Sequence, residues 1–249
     1  SRSNSKIKHL RLLQQRKYRR QTGNFVLEGS ELLEEASQAG YKLLCLFRCE
    51  GVSSPQLQAL ALEDYELKTE LMTHVSALKS PPEVLAIVQQ QEIAEDLQRY
   101  PAWLLAEGLQ DPGNFGALCR LVNAMNWRGV LTLGDSPDPF QSKVIRGSMG
   151  SSLYLPVKNV SLEDLSLWKA DGWSLFATAA DASQNSFQMT IPKKLILALG
   201  HEGQGLSSEL QMLSGHKIAI PIHNQVDSLN VATAAAMLVH ECNRQWSLS

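Results

Sequence analysis

Three polar clusters in the second half of the chain hold residue types that could do chemistry. The first runs from Asp111-Pro112-Gly113-Asn114 to Arg120. Asp111, Pro112 and Gly113 make a turn, and Asn114 is a competent N-cap for the helix that follows. Arg120, six residues on, projects from the second helical turn on a different face from Asn114. Either these groups belong to a site, or the helix is simply capped and the arginine sits in a structural ion pair. The second cluster is Leu199 to Leu210, where Gly200, Gly203 and Gly205 follow an apolar run and let a ligand approach the backbone closely. Glu202 within it is either a site carboxylate or a helix-dipole partner. The third is Ile220 to Leu238, where Asp227 or Ser228 caps a last helix and Ser228, Leu229 and Asn230 stand at its positive end. Capping accounts for Asp227 and Ser228 but not for Asn230, a middling helix former in a first turn.

Other chemistries are missing from the sequence. There is no HExxH, no GxSxG and no phosphate-binding loop, and the three glycines do not follow GxGxxG. His201, His216 and His223 show no metal-ligand spacing. Cys45, Cys49, Cys119 and Cys242 form no CxxC pair and read as free thiols of a reducing compartment. No metal site is expected.

Positioning these clusters requires strands that end where they begin. Strands are predicted at Trp103 to Ala106, Gly129 to Leu133, Trp173 to Ala179, Leu195 to Leu199 and Lys217 to Ile222. Helices fit between them at Phe115 to Asn126, Lys143 to Gly147, Leu162 to Ala170 and Ser208 to Leu213, with a long final one from about Ser228 to Trp246. Strands alternating with helices imply a parallel sheet covered on both faces, and such sheets bind ligands beyond the carboxyl ends of their strands. Ahead of this half, Phe25 to Glu28, Ser30 to Ala39, Tyr41 to Phe47, Pro55 to Leu62 and Val84 to Val88 alternate extended with amphipathic stretches. They describe a small α/β unit of roughly 90 residues. The polar stretch from Gln89 to Tyr100, ending at Pro101, reads as the linker.

The composition, 249 residues with 44% hydrophobic and 19% charged, excludes bulk disorder and fibrous rods. No apolar run approaches the roughly 18 residues that a membrane span needs. The net charge of −2 is unevenly spread. Residues 1–22 hold eight of the 23 basic residues and none of the 25 acidic ones, so the remainder carries 15 basic against 25 acidic, a balance of −10. A basic arm on an acidic body suggests a polyanion partner. A transit peptide or a solvated helix face are the plainer readings, and the first is weakened because Leu10, Leu12, Leu13 and Tyr18 lead without a break into folded-looking sequence.

In this order and at these separations, the three clusters resemble the SpoU, or TrmH-type, RNA 2'-O-ribose methyltransferases of the SPOUT superfamily. Asn114 and Arg120 fall on the first motif of that family, Glu202 on the second, and Ser228-Leu229-Asn230-Val231 on the third. Lys143 to Gly150 looks like the segment after its second strand, and residues 17–36, KYRRQTGNFVLEGSELLEEA, resemble the substrate-binding domain that often precedes it. The resemblance implies a trefoil-knotted α/β methyltransferase domain with a parallel sheet over residues 96–249. It also implies a small α/β RNA substrate-binding domain, the basic arm included, over residues 1–95. The implied cofactor is S-adenosylmethionine, held largely by backbone at Gly200, Ile220 and Leu229, with Thr178 and Ala179 facing it. The implied catalytic set is Arg120, Asn114, Glu202, Ser228 and Asn230. Arg120 stays protonated to about pH 12 or above, which favours phosphate binding and alkoxide stabilisation over proton abstraction. The implied protein is a cytoplasmic homodimer without metal or membrane contact, and its partner is RNA, ribosomal RNA ahead of transfer RNA. The alternative from another class is a non-catalytic RNA-binding or assembly protein that keeps the fold. Three positions depart from the family pattern: His201 stands where many relatives have a small residue, Asn224 replaces a common glycine, and Ala232 a common serine.

Overall fold

The computed structural model describes residues 4–179, 182, 186–201, 203–223 and 228–247. The chain falls into two units, one of Ser1–Glu92 with Phe140–Ser142 and one of Ile93–Pro139 with Lys143–Ser249.

The first unit begins with two helices, α1 (Ser5–Leu12) and α2 (Arg16–Thr22), where the sequence suggests a basic arm. Among the charges, Ile7, Leu10 and Leu13 recur at three-residue steps, and this stripe is buried against Val26, Phe47, Met72 and Ile87. The arm is therefore part of the core. Arg19 is buried too, its guanidinium donating to the carbonyls of Leu13 and Gln14, each at 2.9 Å, so it is not offered to a partner. Four bases, Lys8, Arg11, Lys17 and Arg20, stay exposed on the two helices.

The rest of this unit comprises β1 (Asn24–Glu28), α3 (Ser30–Gln38), β2 (Leu43–Cys49), α4 (Pro55–Leu60), β3 (Ala61–Leu67), α5 (Thr69–Val75) and β4 (Val84–Gln89). The sheet order is β1-β4-β2-β3. β4 is antiparallel to both its neighbours, while β3 runs parallel to β2 at the edge. The stretch read as one amphipathic element from Pro55 to Leu62 is thus a short helix running into a strand. β3 escapes a search for alternation because Leu62 to Glu66 are all exposed. It is held instead by pairing, with Arg48 of β2 gripping Asp64 through two hydrogen bonds of 2.8 Å.

Residues 90–99 form neither helix nor strand. The second unit then contains β5 (Tyr100–Glu107), α6 (Pro112–Ala124), β6 (Trp127–Leu133), α7 (Ser142–Gly147), β7 (Val157–Asn159), α8 (Leu162–Ala170), β8 (Ser174–Thr178), β9 (Leu195–Leu199), α9 (Ser208–Leu213), β10 (His216–Ile218) and α10 (Val231–Ser247). Its six strands lie in the order β10-β8-β9-β5-β6-β7, every pairing parallel. β9 enters between β5 and β8, both earlier in the chain, which is why Leu195 to Leu199 must be apolar throughout.

The period-two alternation of a strand sends its side chains to two separate cores. On β5, Ala102, Leu104 and Ala106 join Phe115, Leu118 and Val122 of α6 and Ala235 and Leu238 of α10. Trp103 and Leu105 point the other way, to Leu165 of α8 and Leu210 of α9. All five tryptophans of the protein belong to this unit, Trp103 and Trp127 fully buried among them. β10 is shorter than Lys217 to Ile222: Pro221 has no N–H to donate to a ladder, and Ile220 and Ile222 line a cavity instead.

Candidate active site

The three clusters follow the carboxyl ends of β5, β9 and β10. After β5, Asp111 rather than Asn114 caps α6. Its carboxylate accepts the backbone N–H of Asn114 at 3.1 Å and that of Gly113, and these two bonds hold its pKa below the usual carboxylate range. Lys143 stands 3.6 Å away. Asp111 already satisfies the helix end, so the Asn114 side chain, in the first turn, is available for another role.

That role is visible across 116 residues of sequence: Asn230 Nδ2 donates to Asn114 Oδ1 at 3.2 Å. Asn230 Oδ1 in turn accepts the N–H groups of Ala232 at 3.0 Å and Thr233 at 3.3 Å. Asn230 is therefore the N-cap of α10, which begins at Val231 and not at Ser228. The expected cap at Ser228 is corrected; Asp227 lies outside the described residues, as do Glu202 and Asn224. One amide thus starts a helix with its oxygen and reaches the first cluster with its nitrogen.

A cavity of about 160 Å³ opens beyond the carboxyl ends of β8 and β10. Ile218, Ile220, Ile222, Leu229, Ala234 and Leu238 form its apolar walls, and Thr178, Ala179 and Ser228 also line it. Four residues singled out from the sequence as facing a cofactor, Thr178, Ala179, Ile220 and Leu229, are here together. Gly200 is not among the lining. A Cβ at Gly200 would run into the backbone of Gly205 and Leu206, so a side chain is excluded there by the chain's own loop. That loop is closed by two backbone hydrogen bonds between His201 and Gly205, of 3.1 and 2.8 Å. The His201 ring adds a third tie, Nδ1 accepting the Gly203 N–H at 3.0 Å.

Arg120 is exposed on α6 and has no hydrogen-bond or ion-pair partner among the described residues. Gly116, between Asn114 and Arg120, is where the helix meets α7 and the residue that follows it. A Cβ there would come within 2.7 Å of the Val144 carbonyl oxygen and 2.9 Å of Ser148 N. The thiols of Cys119 and Cys242 are pushed up to about 12, chiefly by burial, so neither ionises near neutral pH. Among the described residues no group of three or more His, Cys, Asp and Glu could hold a metal ion, and no helix is long and apolar enough to cross a membrane.

Sequence reasoning missed the roles of two polar groups. Asp111 competes with Asn114 for the same cap, and either type suits it. Glu107, the last residue of β5, accepts from the Ser207 backbone N–H at 2.8 Å and from its hydroxyl at 2.6 Å. Its only signal in the sequence is a charge terminating an otherwise apolar run.

This architecture has close counterparts among solved structures. An AdoMet-bound rRNA methyltransferase from Sinorhizobium meliloti matches with a TM-score of 0.86 and 27% identity, over 98% of this chain and 96% of that one. The SpoU methyltransferase AviRb from Streptomyces viridochromogenes, in complex with AdoMet, matches with 0.85 and 25% over 98% of both chains. The fold is that of the SPOUT methyltransferases. In sequence, an uncharacterized tRNA/rRNA methyltransferase of Synechocystis is 34% identical, covering 100% of this chain and 94% of that protein. The 23S rRNA (guanosine(2553)-2'-O)-methyltransferase of Bacillus subtilis is 28% identical over 96% of each. Residues 101–240 match the SpoU rRNA methylase family and residues 4–86 the MRM3-like substrate binding domain. The chain belongs to the SpoU rRNA methylase family.

Proposed function

We propose that this chain methylates a ribose 2'-hydroxyl of ribosomal RNA, using S-adenosylmethionine. The observation that carries the reading is one continuous stretch, in which Ser228 and Leu229 line the cavity and the next residue, Asn230, bonds to Asn114. A cofactor pocket and a pair of polar amides are thereby neighbours at the carboxyl ends of a parallel sheet. The relatives from Bacillus subtilis and Streptomyces viridochromogenes are 23S rRNA 2'-O-methyltransferases, of guanosine and uridine respectively, and the S. meliloti and AviRb structures hold AdoMet.

The cavity suits such a cofactor: its walls are aliphatic, fit for a flat purine, and Thr178 and Ser228 bring hydroxyls to it. Ile220 and Leu229 would hold the cofactor, with Gly200 keeping the neighbouring loop close. When bound, S-adenosylmethionine supplies an electrophilic sulfonium methyl. Asn114 and Asn230, already fixed to one another, orient the incoming ribose, and Ser228 and Glu202 complete its positioning. Arg120 holds the adjacent phosphate and, as a permanent cation, favours loss of the hydroxyl proton by stabilising the developing alkoxide.

Residues 1–95 select the RNA in this reading, and residues 96–249 carry the chemistry, with the trefoil knot of the superfamily. Lys8, Arg11, Lys17 and Arg20 supply phosphate attraction that weakens steeply with salt. The active protein is a homodimer in the cytoplasm. Incubating it with cofactor labelled in the methyl group and ribosomal RNA from a methylation-deficient host is expected to yield an alkali-resistant ribose methylation. A folded protein that binds the cofactor and transfers nothing to rRNA or tRNA would overturn the reading in favour of an RNA-binding assembly protein.

A further inference from the structure

The loop from Gly200 to Ser207 is clasped within itself by the His201–Gly205 backbone pair, and Gln211 Nε2 ties it to its own helix through the Leu206 carbonyl at 2.9 Å. Its polar tie to the sheet is Glu107, beside Leu206, which is buried in one core with Leu105 and Ala198. The carboxylate takes both donors of Ser207, whose hydroxyl also accepts the Leu210 N–H at 3.2 Å and so caps α9. Glu107 and Ser207 are 100 residues apart in sequence and both half-buried. A carboxylate receiving two donors is a charge-assisted, geometrically specific link, stronger than the same bonds between neutral groups. β9 fixes where the loop begins, and Glu107 fixes where it ends.

We propose that Glu107 is a positioning residue for methyl transfer: it anchors Ser207 to the end of β5 and thereby sets the loop that begins at Gly200. The inference rests on the methyltransferase reading of the site. Glu107 itself touches neither RNA nor cofactor and acts through Ser207. A carboxylate there for general stability alone would, when removed, loosen the unit at large. One that positions the loop loosens the loop and slows the reaction while the rest of the sheet stays as it was.

Glu107→Ala, Glu107→Gln, Ser207→Ala and the Glu107→Ala/Ser207→Ala pair, made in the full chain, separate these cases. In Glu107→Ala, amide hydrogen exchange at residues 203–206 is expected to accelerate by about tenfold or more, the equivalent of one lost charge-assisted bond, with β5 and β9 unchanged. Methyl transfer to rRNA should lose about tenfold or more in kcat, with KM for RNA within about twofold, since RNA selection is assigned to residues 1–95. Glu107→Gln, which keeps one acceptor, should recover part of both, and the double variant should be no worse than Glu107→Ala alone. Exchange at 203–206 and kcat both at wild-type values in Glu107→Ala would overturn the proposal, as would equal acceleration across the whole sheet. Should Glu107→Ala fail to fold, Glu107→Gln and Ser207→Ala are judged by the same two outcomes. Absence of transfer by the wild-type protein would count against the methyltransferase reading, while exchange and S-adenosylmethionine titration would still judge whether Glu107 sets the loop.

Discussion

In the amino-terminal unit, Lys6 pairs with Glu63 at 2.8 Å and Arg48 with Asp64 at 2.8 Å, fastening α1 and β2 to the exposed edge strand β3. In the carboxy-terminal unit, Asn230 bonds to Asn114 and Glu107 to Ser207, and each pair joins segments at or after the carboxyl ends of different strands. The first kind of contact closes the side of a sheet and the second gathers one end of it. The Lys6–Glu63 pair, exposed to water, contributes little, and the two-bond Arg48–Asp64 grip holds an edge strand without placing any functional group. Contacts that gather strand ends determine where functional groups stand, so their loss is read in rate before it is read in stability.

Substitutions can break this contrast, the most severe first. Arg120→Ala is expected to lower methyl transfer by about 100-fold or more with S-adenosylmethionine affinity within about twofold. Calorimetry beside a methyl-transfer assay checks this, and equal loss of both would remove Arg120 from its assigned role. Leu10→Ala in the first unit should cost about 2–5 kcal/mol in that unit alone, read as a lowered unfolding midpoint and lost RNA binding with cofactor titration unchanged. Asn230→Asp separates two roles of one side chain. The carboxylate still caps α10, so the melting temperature should hold, while the donor to Asn114 is gone and kcat should fall by about tenfold; Asn230→Ala should lose the cap as well, at about 1 kcal/mol. The smallest effect belongs to Glu241, whose pKa is held down to about 2, first by hydrogen bonds from Arg244 and then from Gln245. A depressed carboxyl contributes stability above its ordinary value of 4.5 and loses it as pH falls toward about 2. Glu241→Gln should therefore melt slightly below wild type at neutral pH, and the gap should close across that acidic window.

The same contrast governs what could be read from the sequence. β5 and β9 are legible because a strand buried on both faces is an unbroken apolar run. β3 is illegible because nothing about Leu62-Glu63-Asp64-Tyr65-Glu66 is buried; only its partners make it a strand. Ile220 and Ile222 lengthen the expected β10, since residues that wall a cavity look like residues that fill a core. The charge of the basic arm hides its packing, because the buried stripe of Ile7, Leu10 and Leu13 is interleaved with basic residues. At the helix starts, Asp111 and Asn114 are both good caps, as are Asp227, Ser228 and Asn230. Composition offers the candidates, and backbone geometry chooses Asp111 and Asn230. The motif residues were legible by resemblance. The Asn114–Asn230 bond and the Glu107–Ser207 tie were not, because they depend on which strand ends the topology brings side by side.

The placement of all five tryptophans in the carboxy-terminal unit gives the protein a built-in optical label. Indole emission reports the melting of that unit alone, whereas far-ultraviolet circular dichroism registers helices and strands of both. Two curves that coincide would mark a single cooperative transition, and a dichroism change preceding the emission change would mark the amino-terminal unit opening first. Trp127 of β6 and Trp246 of α10, in ring contact and in one core with α6, make that signal sensitive to the packing that supports Asn114 and Asn230.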